Sequence, residues 1–294
     1  MRFKIIVFAL AISAYSLFSA YPLDWKSLHE AVDSVTVFEK EGTIKGGAES
    51  VEDLYTLALI YLGQYRNDEA DGLFLRILEI SPDTIEAKWG RAEVLRRKYE
   101  FEKSQKLLRE IIKKEPEFSP AYISLAYIRY YLKDYKEVVR LSSHVIKQER
   151  EGADIGSLAR AHLIFAGAKG MISHKGGPVV KMIHGLKILP NLKRAQELLP
   201  DSAEVYLGLG AFYLLAPPVV GGDLDRAEKH LKKAIELDDS LIDAYVRLAQ
   251  VYKAKGDLEE FNRYLDIALE KDPKNFLARD IKDKSCDFIC VETK

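Results

Sequence analysis

The feature that most restricts what this chain can fold into is a repeat. The segments "EISPD", "KKEPE" and "EKDPK" each close a stretch of two amphipathic segments, and Pro82 and Pro116 stand one repeat length apart. Apolar residues recur within each segment at helical spacing, which predicts paired helices. Small residues fall where paired helices must approach, Ala58 and Ala70 in the first clear unit, with Tyr61 and Phe74 to fill the space beside them. One such unit cannot cover its own apolar face, so units must stack into an all-α solenoid.

The second unit ends at Pro116 and carries Ala92, Leu95, Leu108 and Ile111, and the third, "AYISLAYIRYYLKDYKEVVRLSSHVI", starts near Ser119. Two later units hold Tyr206, Leu209, Gly210, Ala227, Leu231 and Ala234, then Tyr245, Leu248, Ala249, Leu265, Ala268 and Pro273. Between them the register fails. There "SLARAHLIFAGAKGMI" and "VVKMIHGLKILPNLKRAQELL" predict two helices of a lengthened, degenerate unit. The predicted organisation is a leader over 1–20, an N-terminal helix and linker over 21–50 with its helix from Asp24 to Glu39, and three units over 51–151. The degenerate pair over 152–202, two units over 203–275 and a capping helix and tail over 276–294 follow.

The first twenty residues have a basic start, Arg2 and Lys4, then an apolar run and no acid, the pattern of a secretory leader. An exported protein of periplasm or cell envelope is expected, associated with a membrane only if the leader stays uncleaved. With 44 basic and 45 acidic residues, the net charge of −1 gives no reason to expect nucleic acid. Export would permit a disulfide between Cys286 and Cys290, which a helical tail would set on one face, and two free thiols are the alternative.

These units resemble the tetratricopeptide repeat (TPR) family. Leu54, Leu57, Ala58, Tyr61, Ala70, Phe74, Ile77 and Pro82 fall where that family has W, L, G, Y, A, F, A and P. The resemblance implies a right-handed superhelix whose concave groove is lined by the first helix of each unit. The implied groove residues are Tyr55, Leu59 and Leu62, then Trp89, Glu93, Arg96 and Arg97, then Ile123, Tyr127, Tyr130 and Tyr131. Tyrosine gives rigid contact area and arginine a forked donor pair, so this trough suits a peptide carrying apolar side chains and a carboxylate. The stretch "APPVVGGD" followed by "LDRAEKHLKKAIELD" resembles the T components of tripartite ATP-independent periplasmic transporters. In it Pro217 and Pro218 stop one helix, Gly221 and Gly222 turn the chain, and Asp223 can cap the next.

From Ile155 to Gln196 there is no Asp or Glu, while Lys169, Lys175, Lys181 and Lys187 join His174 and His184. That run predicts a surface for an anionic ligand, an acidic partner or lipid head groups, with solvated helix faces as the plain alternative. No metal spacing, phosphate loop, nucleophile elbow or dinucleotide fingerprint occurs, so neither cofactor nor enzyme activity is expected. The expected function is an exported scaffold or adaptor that binds a protein or peptide partner. A small-ligand accessory subunit of a transporter, or a structural envelope spacer, are the alternatives.

Overall fold

The computed structural model describes Lys26, His29, residues 50–150 and residues 153–288. Three helix pairs open it: α1 (Val51–Gly63) with α2 (Asn67–Ile80), α3 (Ile85–Arg97) with α4 (Phe101–Lys114), and α5 (Ser119–Tyr131) with α6 (Tyr135–Lys147). The long α7 (Ile155–Lys175) carries a short α8 (Pro178–Gly185) and packs against α9 (Ile188–Leu198). The pairs α10 (Ala203–Leu215) with α11 (Leu224–Leu237) and α12 (Ile242–Lys255) with α13 (Leu258–Lys271) follow, and α14 (Phe276–Lys282) covers the last pair. The described residues are helix and turn throughout, as the repeat predicts.

The core of each pair is built from the small and bulky positions the repeat sets. Ala58, Ala70, Phe74 and Ile77 have no exposed surface, and Ala227, Leu231 and Ala234 repeat the arrangement late in the chain. At Gly90 a side chain would put its Cβ 2.2 Å from the buried Phe74 ring, and at Gly210 it would come within 2.6 Å of Leu231. These glycines let the helices close.

The turns within units share one geometry. Tyr65, Tyr99 and Lys133 adopt left-handed φ angles of 58°, 63° and 62°, and Gly256 does so at 84°. In each, the following residue's N–H reaches back to the preceding helix, as from Arg66 to the Tyr61 carbonyl at 2.9 Å and from Glu100 to that of Leu95 at 2.9 Å. This is the six-to-one closure of a helix end, which favours glycine at the left-handed residue. Only one of the four is glycine.

The degenerate unit differs from its prediction. The stretch from Val179 to Leu199 is two helices, broken at Leu186 and Lys187. Pro190 would clash with the carbonyl of residue 186 in a continuous helix, but is tolerated in the first turn of α9. The predicted leader and most of the helix from Asp24 to Glu39 lie outside the described residues, although Lys26 and His29 are helical. The C-terminal helix ends at Lys282, so Cys286 stands in a turn and not on a helix face. It is disulfide-bonded, and Cys290 lies outside the described residues.

Two glycines separate packing from propensity. Gly72 is exposed in the middle of α2 with open space where a Cβ would go, so Gly72→Ala should stabilise by about 0.5–1 kcal/mol. Gly90→Ala should instead destabilise by about 1–3 kcal/mol through overpacking against Phe74. Urea denaturation followed by circular dichroism checks both signs.

Candidate functional site

The concave side holds a half-open cavity of about 790 Å³. Ten of the eleven predicted groove residues line it. Tyr55 does not. Its ring is fully buried, tilted against Phe74, and its hydroxyl lies 2.8 Å from Nε2 of His29. His29 also packs against Trp89, with ring centroids 5.2 Å apart. Burial holds the His29 imidazole down at about 4, so it is neutral at physiological pH.

The two arginines of the predicted wall face a carboxylate of their own chain. Glu93 accepts from Arg96 Nε at 2.8 Å and Nη2 at 2.6 Å, from Arg97 Nε at 3.0 Å and from the Ser124 hydroxyl at 2.8 Å. That hydroxyl accepts in turn from Trp89 Nε1 at 3.0 Å, and Arg97 donates to the Leu62 carbonyl. Burial opposes ionisation of Glu93, but the paired guanidiniums outweigh it and hold the carboxyl well below the usual range. The fork expected to take a partner's carboxylate is therefore already occupied on one edge. Two cations around one anion still leave this wall with a net positive charge.

The opposite wall comes from the C-terminal units. Asp243 accepts from Asn275 Nδ2 at 2.9 Å, and burial raises its carboxyl. Asp272 accepts from the Tyr99 hydroxyl, and Glu204 accepts from Arg160 Nε at 2.9 Å. At the edge of α7, Asp154 is buried. One of its carboxylate oxygens takes the Ser157 N–H at 2.7 Å, and the other has no hydrogen-bond partner among the described residues. Burial also raises the Tyr127 and Tyr131 phenols, so both stay protonated donors inside the cavity.

What brings the walls together is a set of aromatic contacts across the concave side. Phe276 packs on Tyr99, Phe101 and Tyr131 at centroid distances of 5.4, 5.8 and 5.2 Å. Phe288 stacks on Tyr130 at 6.2 Å, with the Lys133 ammonium 5.7 Å over its ring, and Lys133 pairs with Asp287. The segment 276–288 thus leans on the second and third units and narrows the trough to a half-open chamber. Reading the sequence one unit at a time misses Tyr65, Tyr99, Arg160, Glu204, Asp243 and Asp272, all of which line the cavity. A signal was present for the first two: tyrosine occupies the turn position that favours glycine.

The six residues of the predicted basic surface lie apart from this chamber, gathered where α7 ends and α8 and α9 begin. Lys169 is buried there, and burial together with Lys187 lowers its ammonium. Burial, with Lys169 and Lys187 beside it, also lowers the His184 imidazole.

A family model described as the TRAP transporter T-component matches residues 166–284, from the middle of α7 to just past α14. A tetratricopeptide repeat protein of Parabacteroides merdae is 15% identical, with 88% of this chain and 93% of that one covered and a TM-score of 0.52. This chain has a TPR fold, and its C-terminal part is similar to the T component. Human IFIT1, solved as a dimer with m7Gppp-AAAA, is 19% identical over 80% of this chain and 53% of its own, with a TM-score of 0.56. At these identities both structures speak to the fold alone. No curated protein matches the chain.

The Glu93 cluster yields a signed pH prediction. Because its folded carboxyl is depressed, its stability contribution is complete above about 4.3, the unfolded value, and is lost as pH falls through the folded value. Glu93→Gln should cost about 3–5 kcal/mol at pH 7 by stranding the two guanidiniums. The gap between variant and wild type should narrow below about pH 4.3. Urea titrations at pH 7, 5 and 3 check this.

Proposed function

We propose that this TPR protein is a non-catalytic binding component that serves a transporter and holds a small polar molecule in its chamber. The observation that carries the reading is the packing of Phe276 and its neighbours. It narrows the concave side to a half-open cavity of about 790 Å³, within the roughly 300–1,000 Å³ usual for small-ligand sites. The likeness of residues 166–284 to the T component supports the transporter setting, since that part supplies the closing wall. An exported location, in the periplasm or envelope, fits that setting and the leader pattern. No described helix is long and apolar enough to cross a membrane.

The chemistry of the walls favours a ligand with separated charges. Arg96 and Arg97 share one carboxylate on one side, and Asp243 on the other lies within the electrostatic reach of Arg247 and Arg96 while, among the described residues, its hydrogen bond comes from the neutral Asn275. A zwitterion placed between them answers both, with the Tyr127 and Tyr131 hydroxyls as further donors. A second reading keeps the chain as a protein scaffold, in line with the general use of TPR folds for interaction. The partner would then insert a side chain or chain terminus into the same chamber.

Gly63 is the last residue of α1, lines the cavity and has open space around its Cβ position, so Gly63→Phe should fill the chamber without disturbing the fold. Native mass spectrometry of the protein isolated from its own cells should show a retained small molecule, lost or at least ten-fold reduced in the variant. Thermal shifts with a panel of zwitterions should be blunted in parallel. A ligand-free wild type with no shift from any panel member would sink the reading.

A further inference from the structure

The short helix α8 is anomalous as a piece of a folded protein. It has no buried residue, and its outer face consists of Val179, Met182, Ile183 and, at its C-terminal cap, Leu186, which are 64%, 60%, 50% and 72% exposed. Isolated exposed apolar residues are ordinary, but four together on about two helical turns mark an interaction surface. The helix is held in this pose. Pro178 starts it, the Ser173 hydroxyl donates to the Lys181 carbonyl at 3.2 Å, and Val180 packs so closely on Gly176 that a Cβ there would lie 2.3 Å from it. Val180 thus faces α7 while its neighbours face outward.

Charge decides what such a surface fits. Lys181 and Lys187 are exposed beside the apolar face and form no ion pair among the described residues, Lys175 is exposed at the end of α7 with its ammonium 5.4 Å over the Tyr135 ring, and no acid occurs between Ile155 and Gln196. His174 and His184 add further basic groups. Two copies joined through this face would set lysine against lysine. A bilayer bearing anionic lipid meets both features at once, taking the apolar side chains below its head groups and the ammonium groups among its phosphates.

We propose that the α8 hairpin docks this protein on an anionic membrane surface, with Val179, Met182, Ile183 and Leu186 as the inserted face and Lys175, Lys181 and Lys187 as its electrostatic collar. This is a second binding site, separate from the chamber.

The test is sedimentation of the full chain with vesicles of phosphatidylglycerol and phosphatidylcholine in equal parts, and with pure phosphatidylcholine. The leader is common to every sample, so differences between variants report the hairpin. Wild type should sediment with the anionic vesicles and far less with the neutral ones. Lys181→Glu with Lys187→Glu should weaken binding by more than ten-fold, at about five-fold or more per lysine, and 0.5 M salt, roughly, should do likewise. Met182→Asp with Leu186→Asp should abolish the hairpin's contribution. None of these side chains is buried, so unchanged circular dichroism is expected and confirms that the loss is local. Equal sedimentation of variants and wild type overturns the proposal. So does equal binding to both vesicle types, or a wild type that ignores vesicles but self-associates through Met182 and Leu186 in analytical ultracentrifugation.

Discussion

The interaction on which the concave side depends is the buried carboxylate of Glu93. It ties three units at one point. Arg96 and Arg97 come from its own helix, Ser124 from the next unit, and Arg97 passes on to the last turn of α1 through the Leu62 carbonyl. A solenoid is held mainly by neighbour-to-neighbour packing, and its curvature follows from small rotations between units. A charged network spanning three units fixes those rotations more tightly than apolar contact, which tolerates sliding. The aromatic side chains of α5 then stand at the height where Phe276 can meet them.

That closure explains what was legible in the sequence and what was not. Helix pairs and their small-residue contacts follow from spacing within about 34 residues, because each unit is a local structure, and the ten groove residues follow from the resemblance to TPR units. The proline break in the degenerate unit was also written there, in Pro190, but the apolar run around it hid the stop. The chamber was not legible. Tyr99 bonds Asp272 from 173 residues away, and no periodicity links them. Nor does spacing tell whether an arginine faces solvent or a carboxylate one helical turn back, and Glu93 stands at such an offset from both. Reading Arg96 and Arg97 as open donors therefore overstated the charge available to a partner.

The turn positions show the same tension between local preference and global use. A left-handed φ at a non-glycine residue costs about 1–2 kcal/mol. Gly256 avoids that cost, whereas Tyr65 and Tyr99 bear it and both line the chamber. Tyr99 joins the Phe276 cluster and bonds Asp272, and Tyr65 lies beneath the Arg97 guanidinium at 5.2 Å. Backbone strain that puts an aromatic where a turn would prefer none persists when the side chain is needed at that place.

The degenerate unit carries both proposed sites, and its length is the reason. Helix α7 has 21 residues against 13 or 14 in the regular units, which makes it about 32 Å long at 1.5 Å per residue. Arg160, Leu163, Ile164 and Gly167 of α7 line the chamber, with Tyr130 packed beside Gly167. The second half of α7 buries Ala168 and Met171 in the core and, at its end, carries α8. A regular unit has no residues to spare for such an addition, because both of its helices end where the next pair begins. Lengthening one helix by two turns, and inserting a short one after it, creates an outward surface without altering the inward one. The chamber and the hairpin can therefore vary independently, and one rigid rod holds them a fixed distance apart.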